Sequence, residues 1–126
     1  MSWLSWHEKS EQFASDAHVV ARQGDNDRAL ALFAEAAEAE NQALSTLDTS
    51  KARTFGITAV SAVSLWFKAH RFAEAERLAL RCLATGELPA FAVEQLRALL
   101  QAVWTAEAMR RVNVSFSYQW AQRGSR

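Results

Sequence analysis

Two segments of this 126-residue chain carry nearly the same pattern. The first runs Gln23-Gly24-Asp25-Asn26-Asp27-Arg28-Ala29-Leu30-Ala31-Leu32-Phe33-Ala34-Glu35-Ala36, and the second Ala69-His70-Arg71-Phe72-Ala73-Glu74-Ala75-Glu76-Arg77-Leu78-Ala79-Leu80-Arg81-Cys82. Aligned on Ala29 and Ala75, each is a short polar break followed by a helix with small residues at fixed intervals. Phe33 in the first stands against Ala79 in the second. Internal self-similarity decides architecture before any single residue does. A chain of stacked helical hairpins usually works by binding along its surface, so the pattern implies a class of activity and names no partner.

Half of the residues are hydrophobic and 22% are charged, enough apolar surface for one domain with a core of its own. Alanine and leucine dominate and there is one proline, which favours helix over sheet. The single cysteine excludes an internal disulfide framework. Met1-Ser2-Trp3-Leu4-Ser5-Trp6-His7-Glu8 has neither a basic start nor an apolar signal core, and no apolar run approaches the roughly 20 residues that span a bilayer. A soluble, cytoplasmic protein is expected. Net charge is zero but unevenly placed. Residues 1–50 carry three basic and nine acidic side chains, net −6, and residues 51–126 carry eleven and five, net +6. Stacked acidic and basic helices attract each other; the same asymmetry would also orient a charged partner or a second copy. Zero net charge argues against general nucleic-acid binding.

Along the chain, Ser5-x-x-Glu8 reads as a capping box that starts a first helix at Trp6, and Gly24 ends it. Asp25 or Asn26 caps a second helix, on which Ala29, Leu30, Leu32, Phe33, Ala36 and Ala37 form the inner stripe while Glu35, Glu38 and Glu40 face away. Asp48-Thr49-Ser50 is the next break. From Phe55 to Phe67 there is no charge at all; a helix apolar nearly all round is buried on several sides. Its β-branched residues raise a strand alternative that lacks strict alternation, so helix is retained. His70-Arg71 forms a turn, a fourth helix follows, and Pro89 suits the first turn of a fifth, with Phe91 or Ala92, Leu96, Leu99, Leu100, Val103 and Trp104 inward. Arg111 to Trp120 alternates polar and apolar, the period of a half-buried strand without a visible partner.

These residues resemble the tetratricopeptide repeat, in which the second helix of each hairpin presents a small residue, a large aromatic and another small one. Ala29, Phe33 and Ala36 match in the first unit, and Ala75, Ala79 and Cys82 in the second, with alanine at the aromatic position. The first helices match more weakly, through Phe13, Ala17 and Val20 and through Ala59, Val63 and Trp66. The likeness covers residues 10–84, and the 46-residue offset from Ala29 to Ala75 exceeds the family's usual spacing of about 34. It implies an all-α, right-handed stack of antiparallel hairpins, about five helices over residues 1–109, and the alternation beyond Met109 adds an extended or β-like tail over 110–126. It also implies a ligand groove on the first helices, lined by His18 and Arg22, by Ile57, Val60, Ser64, Phe67 and Lys68, and by Gln101, beside Glu11, Ala14, Glu94 and Ala98. The pattern with which some relatives clamp a terminal carboxylate is absent, since Ala14, His18 and Ser61 occupy those places.

No motif carries catalysis. His7, His18 and His70 are expected to be solvated or turn histidines, without an HExxH or Cys/His cluster. Cys82 is expected to be a packed thiol, and Asp25 and Asp27 to be cap residues. Of the five tryptophans, Trp66 and Trp104 are assigned to the core, whereas Trp3, Trp6 and Trp120, with Phe116 and Tyr118, are candidates for an interface. The expectation is a non-catalytic protein- or peptide-binding adaptor without metal or cofactor, nucleic-acid or membrane partner. The alternative is an obligate homo-oligomer joined through the third helix or the tail.

Overall fold

The computed structural model describes the backbone of residues 1–124 and the side chains of residues 1–113. It is all-helical over five elements: α1 (Trp3–Arg22), α2 (Asn26–Ser45), α3 (Ala52–Lys68), α4 (Phe72–Ala84) and α5 (Ala90–Gly124). α1 and α2 form one antiparallel hairpin, α3 and α4 a second, and α5 packs on both members of the second. α3 is central, in contact with α2, α4 and α5, which explains the charge-free run from Phe55 to Phe67 within it. Phe55, Ala59, Ala62, Val63, Leu65 and Trp66 are all buried, so the helix reading holds over the strand alternative.

The repeated segments fold alike down to their turns. At the end of α1 the Asp25 amide donates to Val20 O (3.0 Å) and the Gly24 amide to Ala21 O (3.0 Å). At the end of α3 the Arg71 amide donates to Trp66 O (2.9 Å) and the His70 amide to Phe67 O (3.0 Å). This is the paired closure of a Schellman turn, which needs a left-handed residue just past the helix. Gly24 supplies it at φ 85°, and His70 supplies it at φ 58°. The next helix then starts from residues of matching backbone, Asp25 (φ −87°, ψ 76°) and Arg71 (φ −96°, ψ 71°). Ala29, Phe33 and Ala36 and their counterparts Ala75, Ala79 and Cys82 are all buried. Small residues there let α2 and α4 approach their neighbours closely.

Three expectations about the helices are corrected. α1 starts at Trp3, because Ser2 is the cap: its Oγ accepts from the Ser5 amide (3.2 Å), and the Ser5–Glu8 box lies inside the helix. Trp104, assigned to the core, is 45% exposed and donates from Nε1 to Glu76 (3.2 Å). The other expected inward positions Ala92, Leu96, Leu100 and Val103 are buried. The tail does not turn into a strand: α5 runs unbroken through residue 109 to Gly124. A lone strand would leave its amides and carbonyls unpaired, whereas a helix satisfies them within itself. Residues 125 and 126 lie outside the described residues.

Candidate binding cleft

The sequence does not announce the polar centre of this fold. Glu40, expected to face away, is buried at 1% exposure. Ser61 Oγ donates to its Oε2 (2.7 Å), and His7 Nδ1 lies 3.0 Å from Oε1 and 3.2 Å from Oε2. The other ring nitrogen of His7 is 3.0 Å from Glu11 Oε1. Trp3 stacks on the His7 ring, with centroids 4.8 Å apart, and donates from Nε1 to Thr58 Oγ1 (3.1 Å). Ser10 Oγ donates to Ala36 O (2.9 Å). Side chains from α1, α2 and α3 therefore meet on one carboxylate, and no buried side-chain polar atom among the described residues lacks a partner. Burial alone would lower the His7 pKa, but the bond to Glu40 and its charge, followed by those of Glu11, outweigh it and raise the value above 6.5. His7 is thus a half-buried clamp rather than a solvated histidine, and Trp3, an interface candidate, already has partners within the chain. Trp6 is half-buried with Lys9 Nζ 5.4 Å above its ring.

The polar contacts of this cluster tie α1, α2 and α3 together. The Ser61 hydroxyl is bonded to the Glu40 carboxylate and not to the imidazole. Among the described residues no group of three or more His, Cys, Asp or Glu side chains is placed to hold a metal. Cys82 is buried, and desolvation pushes its thiol up, away from the thiolate that would react.

Of the first-helix groove residues, Ile57 and Lys68 are exposed on α3, and Val60, Ser64 and Phe67 are half-buried beside them. Phe67 packs against Phe72, ring centroids 5.7 Å apart. The contacts Trp3–Thr58 and His7–Glu40–Ser61 set α1 level with α3, His7 lying beside Ser61. Running on from there, His18 and Arg22 pass the level of Lys68, and His18 lies edge-on to Phe33 of α2 at 5.1 Å. The structure therefore groups Ile57, Val60, Ser64, Phe67 and Lys68 along α3 and leaves His18 and Arg22 apart from them. Gln101 is exposed on α5, and the side chains of Phe116, Tyr118 and Trp120 lie outside the described residues.

The opposite face is the hollow one. α2 and α4 both pack on α3, and between them lies a cleft floored by α3. One part, about 300 Å³, is lined by Glu38, Asn41, Trp66, Arg71, Glu74, Arg77, Leu78 and Arg81. The adjoining part, about 510 Å³, is lined by Leu44, Leu47, Phe55 and Cys82 with Asn41, Ser45, Thr49, Arg81 and Thr85. Asn41 and Arg81 border both. At the polar end the Arg71 guanidinium lies 5.5 Å over the Trp66 ring and bonds Glu74 (2.6 Å), with Arg77 4.0 Å from the same carboxylate. Arg71 holds the Glu74 carboxyl below the usual carboxylate range. Among the described residues no carboxylate lies within ion-pair distance of Arg81. An uncommitted cation therefore stands at the join between a charged and an apolar compartment. The sequence signal was present in the repeat itself, since both walls are the second helices. Reading those helices as scaffold alone hid it.

Among the described residues no helix is long and apolar enough to cross a membrane. Comparisons with protein-family models, with curated proteins and with solved structures yield no match, so the five-helix architecture stands on its own geometry.

Proposed function

We propose that the chain is a non-catalytic adaptor of tetratricopeptide-like build that holds a segment of a protein partner in the cleft between α2 and α4. The observation that carries this reading is Arg81, unpaired at the mouth of an apolar trough floored by Phe55 and walled by Leu44 and Leu47. A volume of this size, with apolar side chains at its floor and polar ones around them, suits two or three side chains of a peptide. The unpaired cation selects a carboxylate next to them. The tetratricopeptide-like part is supported by the matched turns at Gly24 and His70 and by the buried small residues that follow them.

Selection from a random peptide library on immobilised full-length protein tests this. The reading expects enriched peptides with an acidic residue beside two or more apolar ones, bound at least about tenfold more weakly by Arg81→Glu. Enrichment of peptides that bind both proteins equally would place the site elsewhere. The exposed row on α3 is the second reading, favoured by Ile57 at 48% exposure, and Ile57→Asp with intact Arg81 separates the two.

A further inference from the structure

The charges that line the cleft are not all matched within the chain. Arg71, Arg77, Arg81 and Glu74 border its polar compartment from the α4 side, and Glu38 borders it from α2. Glu74 holds Arg71 at 2.6 Å and meets Arg77 at 4.0 Å. Glu38 acts on Arg71 only through its charge, at longer range. Among the described residues neither Glu38 nor Arg81 has an ion-pair partner, and both side chains are exposed. One free anion and one free cation thus stand on opposite walls of the same cleft.

The helices set their order. α2 lines the polar compartment with Glu38 and the apolar one with Leu44 and Leu47, while Asn41 borders both. α4 runs the same way along the cleft, from Glu74 through Arg81, which borders both compartments, to Cys82 and Thr85. Asn41 and Arg81 therefore mark one level. At about 1.5 Å per residue, Glu38 lies about 4.5 Å to one side of that level, and Leu44 and Leu47 lie about 4.5 and 9 Å to the other. An extended segment advances about 3.3 Å per residue. A cation opposite Glu38 then stands one or two positions from an acid at Arg81, on the side away from the apolar side chains.

We infer, on the strength of the adaptor function proposed above, that the cleft selects a segment in which a lysine or arginine, an acidic residue and apolar residues follow in that order, and that Glu38 recognises the cation. A segment with a second acid in the basic position meets Glu38 as a like charge, which sets the register of binding as well as its strength.

Selection from a random peptide library on full-length wild type, Glu38→Lys and Arg81→Glu in parallel tests this, with circular dichroism confirming that each protein folds. Wild type should enrich a basic residue one or two positions from the acid, on the side away from the apolar residues. Glu38→Lys should enrich an acidic residue there instead and keep the other positions. A peptide selected on wild type and resynthesised with its basic residue changed to glutamate should bind wild type about three- to fivefold more weakly, and Glu38→Lys more tightly by a similar factor. A merely structural role for Glu38 would not produce that reversal. Identical profiles on wild type and Glu38→Lys would overturn the inference, and would leave the cleft standing where Arg81→Glu still loses the acidic position. A profile unchanged by Arg81→Glu, or no enrichment at all on wild type, would remove the cleft as the binding site and this inference with it.

Discussion

Replacing Glu40 with alanine should cost this protein about 2–4 kcal/mol, although nothing in the local sequence marks the residue. The carboxylate accepts from Ser61 and faces His7, and both bonds are lost together. Hydrogen bonds to a charged group contribute about 1.5–3 kcal/mol each. His7 recovers part of its share, because it keeps Glu11 and is exposed enough to reach water. Removing a buried charge also relieves its desolvation, which moderates the total. Glu40→Gln keeps the volume and an acceptor for Ser61, so it should cost about half as much. Urea unfolding followed by far-ultraviolet circular dichroism measures both. The loss should couple to His7: the double variant with His7→Ala should fall short of the summed single effects by about 1 kcal/mol or more. A pH dependence accompanies it. Because the folded His7 pKa is raised, its stabilising contribution is complete below 6.5 and is lost as pH rises through the folded value. Wild type should therefore lose stability across that interval, and Glu40→Gln should show a flatter profile. A Glu40→Ala protein within about 0.5 kcal/mol of wild type would refute the reasoning.

Gly56 meets Pro89 and Ala92 so closely that an added Cβ would lie 2.9 Å from Pro89 Cγ and 3.1 Å from Ala92 Cβ. Gly56→Ala gains about 1 kcal/mol of helix propensity but forces a rigid ring to move, so a net loss of about 1–2 kcal/mol is expected by denaturation. His70→Gly relieves a left-handed histidine and should raise stability by about 0.5–1 kcal/mol in the same assay, less whatever its stacking on Phe72 contributes. Ile57→Asp should leave the melting temperature almost unchanged. Phe67→Asp should lower it by several degrees, since Phe67 packs against the core and Phe72.

What the sequence disclosed was local. Helix positions, the Asp25 cap, whose side chain accepts from the Arg28 amide (3.2 Å), and the Asp48–Ser50 turn all depend on neighbours within a few residues. The buried alanines of α2 and α4 followed from spacing alone. Glu40 escaped because its burial is decided by His7, 33 residues away, and Ser61, 21 residues away. The partner of Trp3 went unseen for a similar reason, Thr58 being 55 residues distant. The tail misled through ambiguity of period. Apolar residues at every second position from Val112 to Trp120 include a set at every fourth, so one sequence fits both a strand and a helix face. The cleft was hidden because it lies between two helices that each pack on α3, and periodicity marks a packed face without showing the gap beside it.

The central claim is that recognition occurs between the second helices rather than along the first. Two-dimensional NMR of the isotope-labelled chain, titrated with a library-selected acidic–apolar peptide, tests it most directly. The amides of Asn41, Leu44, Arg81 and Cys82 should shift with a common affinity, while those of Ile57, Ser64, Lys68 and Gln101 stay in place. Shifts confined to the second group would contradict the account.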